Sequence, residues 1–175
     1  ILDLVSAEYA DDRLSILLGN GDGTFQARTS YQAGNRIVSV ETGDFNGDGI
    51  IDLASVDITD NRVSVHLGNG NGTFQARTSY QAGNSAFSLD SGDFNGDGIS
   101  DLVVTDASSD NISVLLGNGN GTFQTRTTYQ AGNYAISVQT GDFNGDGILD
   151  VVTADRDDDK LSVLLGNGNG TFQTR

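Results

Sequence analysis

Residues 44–52 read DFNGDGIID, and the same nine positions return as DFNGDGISD at 93–101 and DFNGDGILD at 142–150. Each copy holds three acids, an asparagine and two glycines, in a chain whose other segments are rich in Val, Leu and Ile. Asp44, Asp93 and Asp142 stand 49 residues apart, as do Gly19, Gly68, Gly117 and Gly166. A fixed period of this size marks a tandem repeat, whose units bury their faces against one another. Residues 50–98 and 99–147 agree at 31 of 49 positions. The chain therefore reads as a single tandem-repeat region over 1–175, with units 1–49, 50–98 and 99–147 and a partial unit 148–175.

Within a unit, four segments carry the β signal. Residues 36–42 (RIVSVET) alternate, 50–56 (IIDLASV) form a compact apolar run, and 62–67 (RVSVHL) place Val63, Val65 and Leu67 on one side. Residues 73–80 (TFQARTSY) place Phe74, Ala76, Thr78 and Tyr80 on one face. Short period-two runs between Gly, Asn and Asp predict strands, and no segment offers a helical stripe. The 24 glycines fit frequent tight turns and would weaken helices. Four antiparallel strands per unit of this length, repeated in tandem, predict an all-β chain of β-propeller blades. A β-solenoid, with shorter repeats per turn, is the competing architecture. Residues 1–31 supply only the last three strands of a blade, so fifteen strands and an incomplete ring are expected.

Counted from one to nine, the nonapeptide places side-chain oxygens at one, three, five and nine: Asp44, Asn46, Asp48 and Asp52. Glycine at six permits a sharp turn, and the carbonyl of Ile50 at seven can point inward. With one bidentate carboxylate this makes about six oxygens, within the roughly 6–8 that calcium takes. The same set recurs at Asp93, Asn95, Asp97, Ile99 and Asp101, and at Asp142, Asn144, Asp146, Ile148 and Asp150. Zinc would want His or Cys, and the chain has one histidine and no cysteine. About three Ca2+ per chain are expected, which would bring the formal charge from −15 to −9 by adding six. The plainer reading is that Asp, Asn and Gly simply make good turns. A turn does not require four oxygens at alternating positions in three copies.

An EF-hand or dockerin loop would be followed by a helix, whereas IIDLASV, ISDLVVT and ILDVVTA follow here and favour strands. GDFNGDG-x-x-D-L/V, then LLGNGNGTF (LLGNGDGTF in the first copy, HLGNGNGTF in the second), resembles the FG-GAP/VCBS repeat family of integrin α-subunit propellers and bacterial surface proteins. The resemblance covers the whole chain. It implies calcium in the hairpin between the first and second strands of a blade, at the three loops above. A fourth loop is present only as Asp3, at position nine, and no site is expected there.

Composition limits the remaining classes. Twenty-four acids against nine bases argue against a nucleic-acid partner, and no apolar run approaches the roughly 20 residues of a membrane span. The opening ILDLVSAEYA lacks the basic and apolar regions of a signal peptide, so the chain reads as soluble and as either mature or a fragment. With one histidine and no cysteine, no nucleophilic triad assembles easily, and no enzyme is expected. His66 stands where other units have Leu17, Leu115 and Leu164 and reads as a tolerated strand substitution. Asn71, Asn120 and Asn169 head N-G-T sequons, but Asp22 replaces the asparagine in the first copy, and turn chemistry explains all four.

In an up-and-down blade, the acidic loops and the GNGNG turns share one face of the ring. The opposite face collects EYADDR, DITDNR, DASSDN and DRDDDK with the links GNRI, GNSA and GNYA, and there the units differ most. Tyr9, Arg13, Arg36, Arg62, Phe87, Tyr134 and Arg156 lie in or beside it and are the candidate ligand-binding residues. Related integrin propellers present ligands from that face, and related fungal and bacterial proteins include lectins. Unconstrained drift of loop sequences would produce the same variation. The expectation is a calcium-binding extracellular or cell-surface module for recognition or adhesion, with a glycan or an extracellular protein as partner. A structural repeat that builds an oligomer or filament is the alternative. The incomplete ring belongs either to a longer propeller or to chains that self-associate.

Overall fold

Alternating apolar and polar residues between glycine-rich turns produce strands throughout the computed structural model, which describes residues 1–173. β1 (Leu4–Glu8), β2 (Arg13–Leu17) and β3 (Thr29–Gln32) form a three-stranded antiparallel sheet. β4 (Ile37–Gly43), β5 (Asp52–Asp57), β6 (Arg62–His66) and β7 (Thr78–Gln81) form a four-stranded one. β8 (Ala86–Gly92), β9 (Asp101–Asp106), β10 (Asn111–Leu115) and β11 (Thr127–Gln130) form the third sheet. β12 (Ala135–Gly141), β13 (Asp150–Asp155) and β14 (Lys160–Leu164) form the fourth. Every neighbouring pair is antiparallel and consecutive in sequence, as in propeller blades.

The sheets stack through their inner strands in chain order, β1 on β4, β4 on β8 and β8 on β12. An apolar cluster fills each junction. Leu14 and Ile16 meet Leu53; Val63 and Val65 meet Leu102 and Leu115; Ile112 and Val114 meet Val151 and Leu164. β5 and β9 have neighbours on both faces and are buried along their whole length. The array is open: Phe143, Leu161 and Val163 on the last sheet remain exposed, although their counterparts Phe94, Ile112 and Val114 are buried.

Three expectations change. The fourth strand of a blade runs over Thr78–Gln81 and not 73–80. Phe74 instead pairs with Gly68 in an isolated bridge, and the Gln75 amide bonds the Leu67 carbonyl at 2.8 Å, so the chain closes a tight excursion before the strand begins. The second strand starts at Asp52, because the amide of Ile50 is held by the Asp48 carboxylate. Fourteen strands, not fifteen, occur among the described residues. In the last unit Phe172 makes the same bridge, to Gly166, and residues 174–175 lie outside the described part. The missing inner strand of the first sheet is as expected.

Candidate functional site

The first acidic loop joins β4 to β5, and its conformation follows from its side chains. One Asp44 oxygen accepts the amides of Gly47 (2.7 Å) and Asp48 (3.2 Å); the other accepts that of Gly49 (2.8 Å). Asn46 accepts the Asp48 amide and Asp48 accepts the Ile50 amide, at 2.9 and 2.8 Å. Gly47 and Gly49 take φ of +77° and +79°, a region costly for any residue with a Cβ. Asp52 is different. It is fully buried at the start of β5 and accepts the amides of Phe45 (2.9 Å) and Gly68 (2.7 Å), bolting the loop to the GNGNG turn of its own sheet. Asp101 and Asp150 repeat both bonds.

The donor set is all oxygen, which suits calcium. The carboxylates also feel one another: burial raises the proton affinity of Asp52, and the charges of Asp48 and Asp44 add to it. Asp101 behaves likewise beside Asp97 and Asp93. Asp44 and Asp142 are held below the usual carboxylate range by the amides of Gly49 and Gly147. As the loops stand, the oxygens are turned onto the loop's own amides. Among the described residues no three acidic or histidine side chains are gathered tightly enough to hold a metal ion. The residue types fit the ion; ligation would require the Asp44, Asn46 and Asp48 side chains to turn.

The first two loops are also joints between sheets. The Phe45 ring packs edge-on against Phe123 of the next sheet at 5.9 Å, and the Gly121 amide bonds the Phe45 carbonyl at 3.0 Å. Phe94 does the same with Phe172 (5.6 Å) and Gly170 (2.8 Å). A cleft lined by Asp44, Gly47, Ile99 and Asn118 separates the first loop from its neighbours. The acidic loops and GNGNG turns thus share one face. In those turns Asn71, Asn120 and Asn169 accept the following threonine's amide and hydroxyl, as Asp22 does, which is turn chemistry.

The opposite face has a constant frame under variable side chains. Arg36, Ser85 and Tyr134, at the links between sheets, all take positive φ of 55–60°. Their amides bond the side chains of Asp12, Asn61 and Asp110 on the preceding sheet at 2.7, 2.7 and 2.9 Å. Their carbonyls accept the amides of Ile58, Ala107 and Arg156 on their own sheet. Two bonds per link offset a backbone conformation that costs a non-glycine residue about 1 kcal/mol or more. Of the candidates, Tyr9 lies under the Arg36 guanidinium at 5.6 Å and Tyr134 under that of Arg156 at 3.7 Å, two cation–π pairs. Arg156 also bonds Asp157 at 2.9 Å. Arg13 and Arg62 are exposed at the first positions of β2 and β6. Phe87 and Tyr134 are half-buried and not fully exposed, because Phe87 sits on β8, in the stacked inner layer, and Tyr134 lies beneath Arg156.

Sequence reasoning missed one set of acids. Asp57, Asp106 and Asp155 end the second strand of three sheets and are buried. Asp57 accepts the amides of Asn35 and Asp60; Asp106 accepts the Gly83 amide and the Ser113 hydroxyl; Asp155 accepts the hydroxyls of Thr153 and Ser162. Their signal was the 49-residue recurrence of an acid facing an Ala-Gly-Asn link. His66 is buried on β6, where its Nδ1 donates to the Gln75 carbonyl at 3.1 Å.

A family model described as FG-GAP-like repeat matches residues 1–55, 44–104, 93–153 and 142–175. No curated protein matches the chain. Among solved structures, the chain is similar to one described as the basis of specific recognition of non-reducing terminal N-acetylglucosamine by an Agrocybe aegerita lectin. That likeness has a TM-score of 0.60 and 24% identity, over 93% of this chain and 45% of the other. It is also similar to BBS1N in complex with ARL6DN, soaked with lead, at TM-score 0.66 and 17% identity over 99% and 51%. A functionally unknown protein of Desulfotomaculum acetoxidans gives 0.54 and 12% over 99% and 65%. The chain spans about half the length of the first two structures and under two thirds of the third. These likenesses show the fold, an open run of propeller-like blades.

Proposed function

The chain belongs to the FG-GAP-like repeat family, and from that footing we propose that it is a calcium-binding, non-enzymatic propeller module that recognises carbohydrate outside the cell. The observation that carries recognition is the frame of the variable face. Side chains change from unit to unit at Arg36, Ser85 and Tyr134, while the same two hydrogen bonds hold each backbone. Rigid scaffolds with variable loops are where binding concentrates. Tyr9 and Tyr134, each beside an arginine, offer the aromatic and donor surfaces that sugar rings use. The fungal lectin with the similar fold supports carbohydrate as the class.

Calcium would be held by Asp44, Asn46, Asp48, the Ile50 carbonyl and Asp52, and by the matching residues of the other two loops. Bound there, the ion supplies neutralising charge among three carboxylates and ties the hairpin that carries Phe45. Calcium of modest affinity suits an extracellular site, where the ion is plentiful. A glycan array followed by calorimetry, with calcium and with chelator, tests the reading. Binding of a terminal amino sugar that is lost in Tyr134→Ala and Arg156→Ala supports it. No glycan bound, together with no calcium-dependent change in melting temperature, overturns it.

A further inference from the structure

In an Asn-Gly step the backbone can attack the asparagine side chain, because glycine has no Cβ to obstruct the approach. The GNGNG turns hold two such steps each, at Asn118-Gly119 and Asn120-Gly121, and at Asn167-Gly168 and Asn169-Gly170. All four asparagines are exposed and lie between glycines, so neither exposure nor adjacent residues separate them. Hydrogen bonds do. Asn120 Oδ1 accepts the amide and hydroxyl of Thr122 at 3.1 and 2.6 Å, and the Gly121 amide donates to the Phe45 carbonyl at 3.0 Å. Asn169 is held in the same way by Thr171, and the Gly170 amide donates to the Phe94 carbonyl at 2.8 Å. The side chains of Asn118 and Asn167 make one bond each, from Nδ2 to the hydroxyls of Thr122 and Thr171 at 2.9 Å. Among the described residues, the amides of Gly119 and Gly168 bond no protein atom. In the acidic loops both partners are tied again. The Gly96 and Gly145 amides donate to Asp93 and Asp142 at 2.7 Å, and Asn95 and Asn144 accept the amides of Asp97 and Asp146 at 2.9 and 2.8 Å.

We infer that Asn118 and Asn167 are sites of spontaneous deamidation, with Asn20 and Asn69 held in the same arrangement. The Gly119 nitrogen loses its proton to water or hydroxide and attacks Cγ of Asn118. An N–Cγ bond forms, the Cγ–Nδ2 bond breaks, and Nδ2 leaves as ammonia with a proton taken from water. Water then opens the five-membered imide at either carbonyl, giving aspartate or isoaspartate. One water is consumed and one ammonia released, with no change of oxidation state. The Gly119 amide reaches Cγ without first giving up a partner, and the cleft that Asn118 and Gly119 line admits water. At Asn120 the same attack must break the Gly121–Phe45 bond that joins two sheets. Gly119 and Gly168 take φ of +73° and +71°, where a residue with a Cβ is strained. The turn thus requires the very residue that makes its asparagine labile. Each event adds a negative charge to a chain already at −15, and isoaspartate lengthens the turn's backbone by a methylene. The inference depends on neither calcium nor a glycan.

Incubation of the 175-residue chain at mildly alkaline pH with chelator tests it. Peptide mapping by mass spectrometry follows each asparagine, and a carboxyl methyltransferase specific for isoaspartate labels that product. A parallel incubation in urea gives the unfolded chain, where Asn118 and Asn120 have the same adjacent residues. In the folded chain Asn118 and Asn167 are expected to convert at least about tenfold faster than Asn120 and Asn169, the ratio that one or two retained hydrogen bonds impose on a barrier. Asn95 and Asn144 should lag as well. In urea the Asn118 to Asn120 ratio should fall to near one. Equal rates at Asn118 and Asn120 in the folded chain, or no conversion at Asn118, would overturn the inference. A ratio that persists in urea would overturn it too, since the fold would not be its cause.

Discussion

Phe45 and Phe123 meet edge to face at 5.9 Å across the junction of the second and third sheets. Phe45 is carried by an acidic loop and Phe123 by the GNGNG turn of the next sheet, so the acidic-loop motif and the blade contact share one hairpin. Phe45→Ala should cost about 3–5 kcal/mol through lost burial and a cavity. Phe143→Ala removes the same atom set from an exposed site and should cost under about 1 kcal/mol in dilute, monomeric protein. Urea unfolding of the two variants gives the comparison. Equal losses would show that the loop phenylalanine does not lock the junction.

Gly83 packs against Asp106 so closely that a Cβ on the glycine would fall within the carboxylate. Gly34 and Gly132 crowd Asp57 and Asp155 in the same way. Gly83→Ala should therefore destabilise by about 2–4 kcal/mol. The double variant with Asp106→Ala should lose clearly less than the sum of the singles, since the second change removes the clash. Additive losses in a double-mutant cycle would refute the steric account.

Fold class and the acidic loops were legible because they rest on local signals multiplied by a repeat. Strand ends were less so. Residues 73–77 alternate as a strand does, but the Gly68–Phe74 bridge that turns them aside depends on six-residue spacing and glycine conformation. Asp52 reads in sequence as a candidate oxygen ligand, whereas its anchoring of the Phe45 and Gly68 amides appears only when the loop and turn are brought together. Asp57, Asp106 and Asp155 look like surface acids in sequence. They are enclosed by the Ala-Gly-Asn link that enters their own sheet, through Gly34, Gly83 and Gly132, a contact between separated segments that no local pattern carries.

Acidification should act on three sets of groups with opposite signs. Burial, with the charge of Arg77, holds His66 below 6.5, so its contribution is present above 6.5 and is lost as pH falls through its native value. Burial holds Asp106 above 3.8 and Glu41 above 4.5, the latter helped by Asp90. Their contribution is full below those ordinary values and is lost as pH rises through the native ones. Asp44 and Asp142, held below 3.8, contribute above it and lose that contribution in stronger acid. In chelator, His66→Leu should raise the melting temperature relative to wild type increasingly as pH drops below 6.5. The variant itself should become more stable from neutral pH toward the upper carboxylate range and then weaken below 3.8. Parallel curves for the two chains would remove His66 from the account.

Asp48 and Asp52 lie in one loop but predict different variants. Asp48 is exposed and bonds only within the loop, whereas Asp52 is buried and holds two amides from separate segments. With calcium at about a thousand times its dissociation constant, a site gains about 4 kcal/mol of folding stability. Asp48→Asn, with the same change at Asp97 and Asp146, should abolish most of that gain and leave the chelator-treated protein near wild-type stability. Asp52→Ala should lower stability in chelator as well, by about 1–3 kcal/mol for each stranded amide. Melting curves with and without calcium separate the two effects. If the triple variant keeps the full calcium shift, the ligand assignment of position five is wrong; if Asp52→Ala is silent in chelator, its anchoring role is.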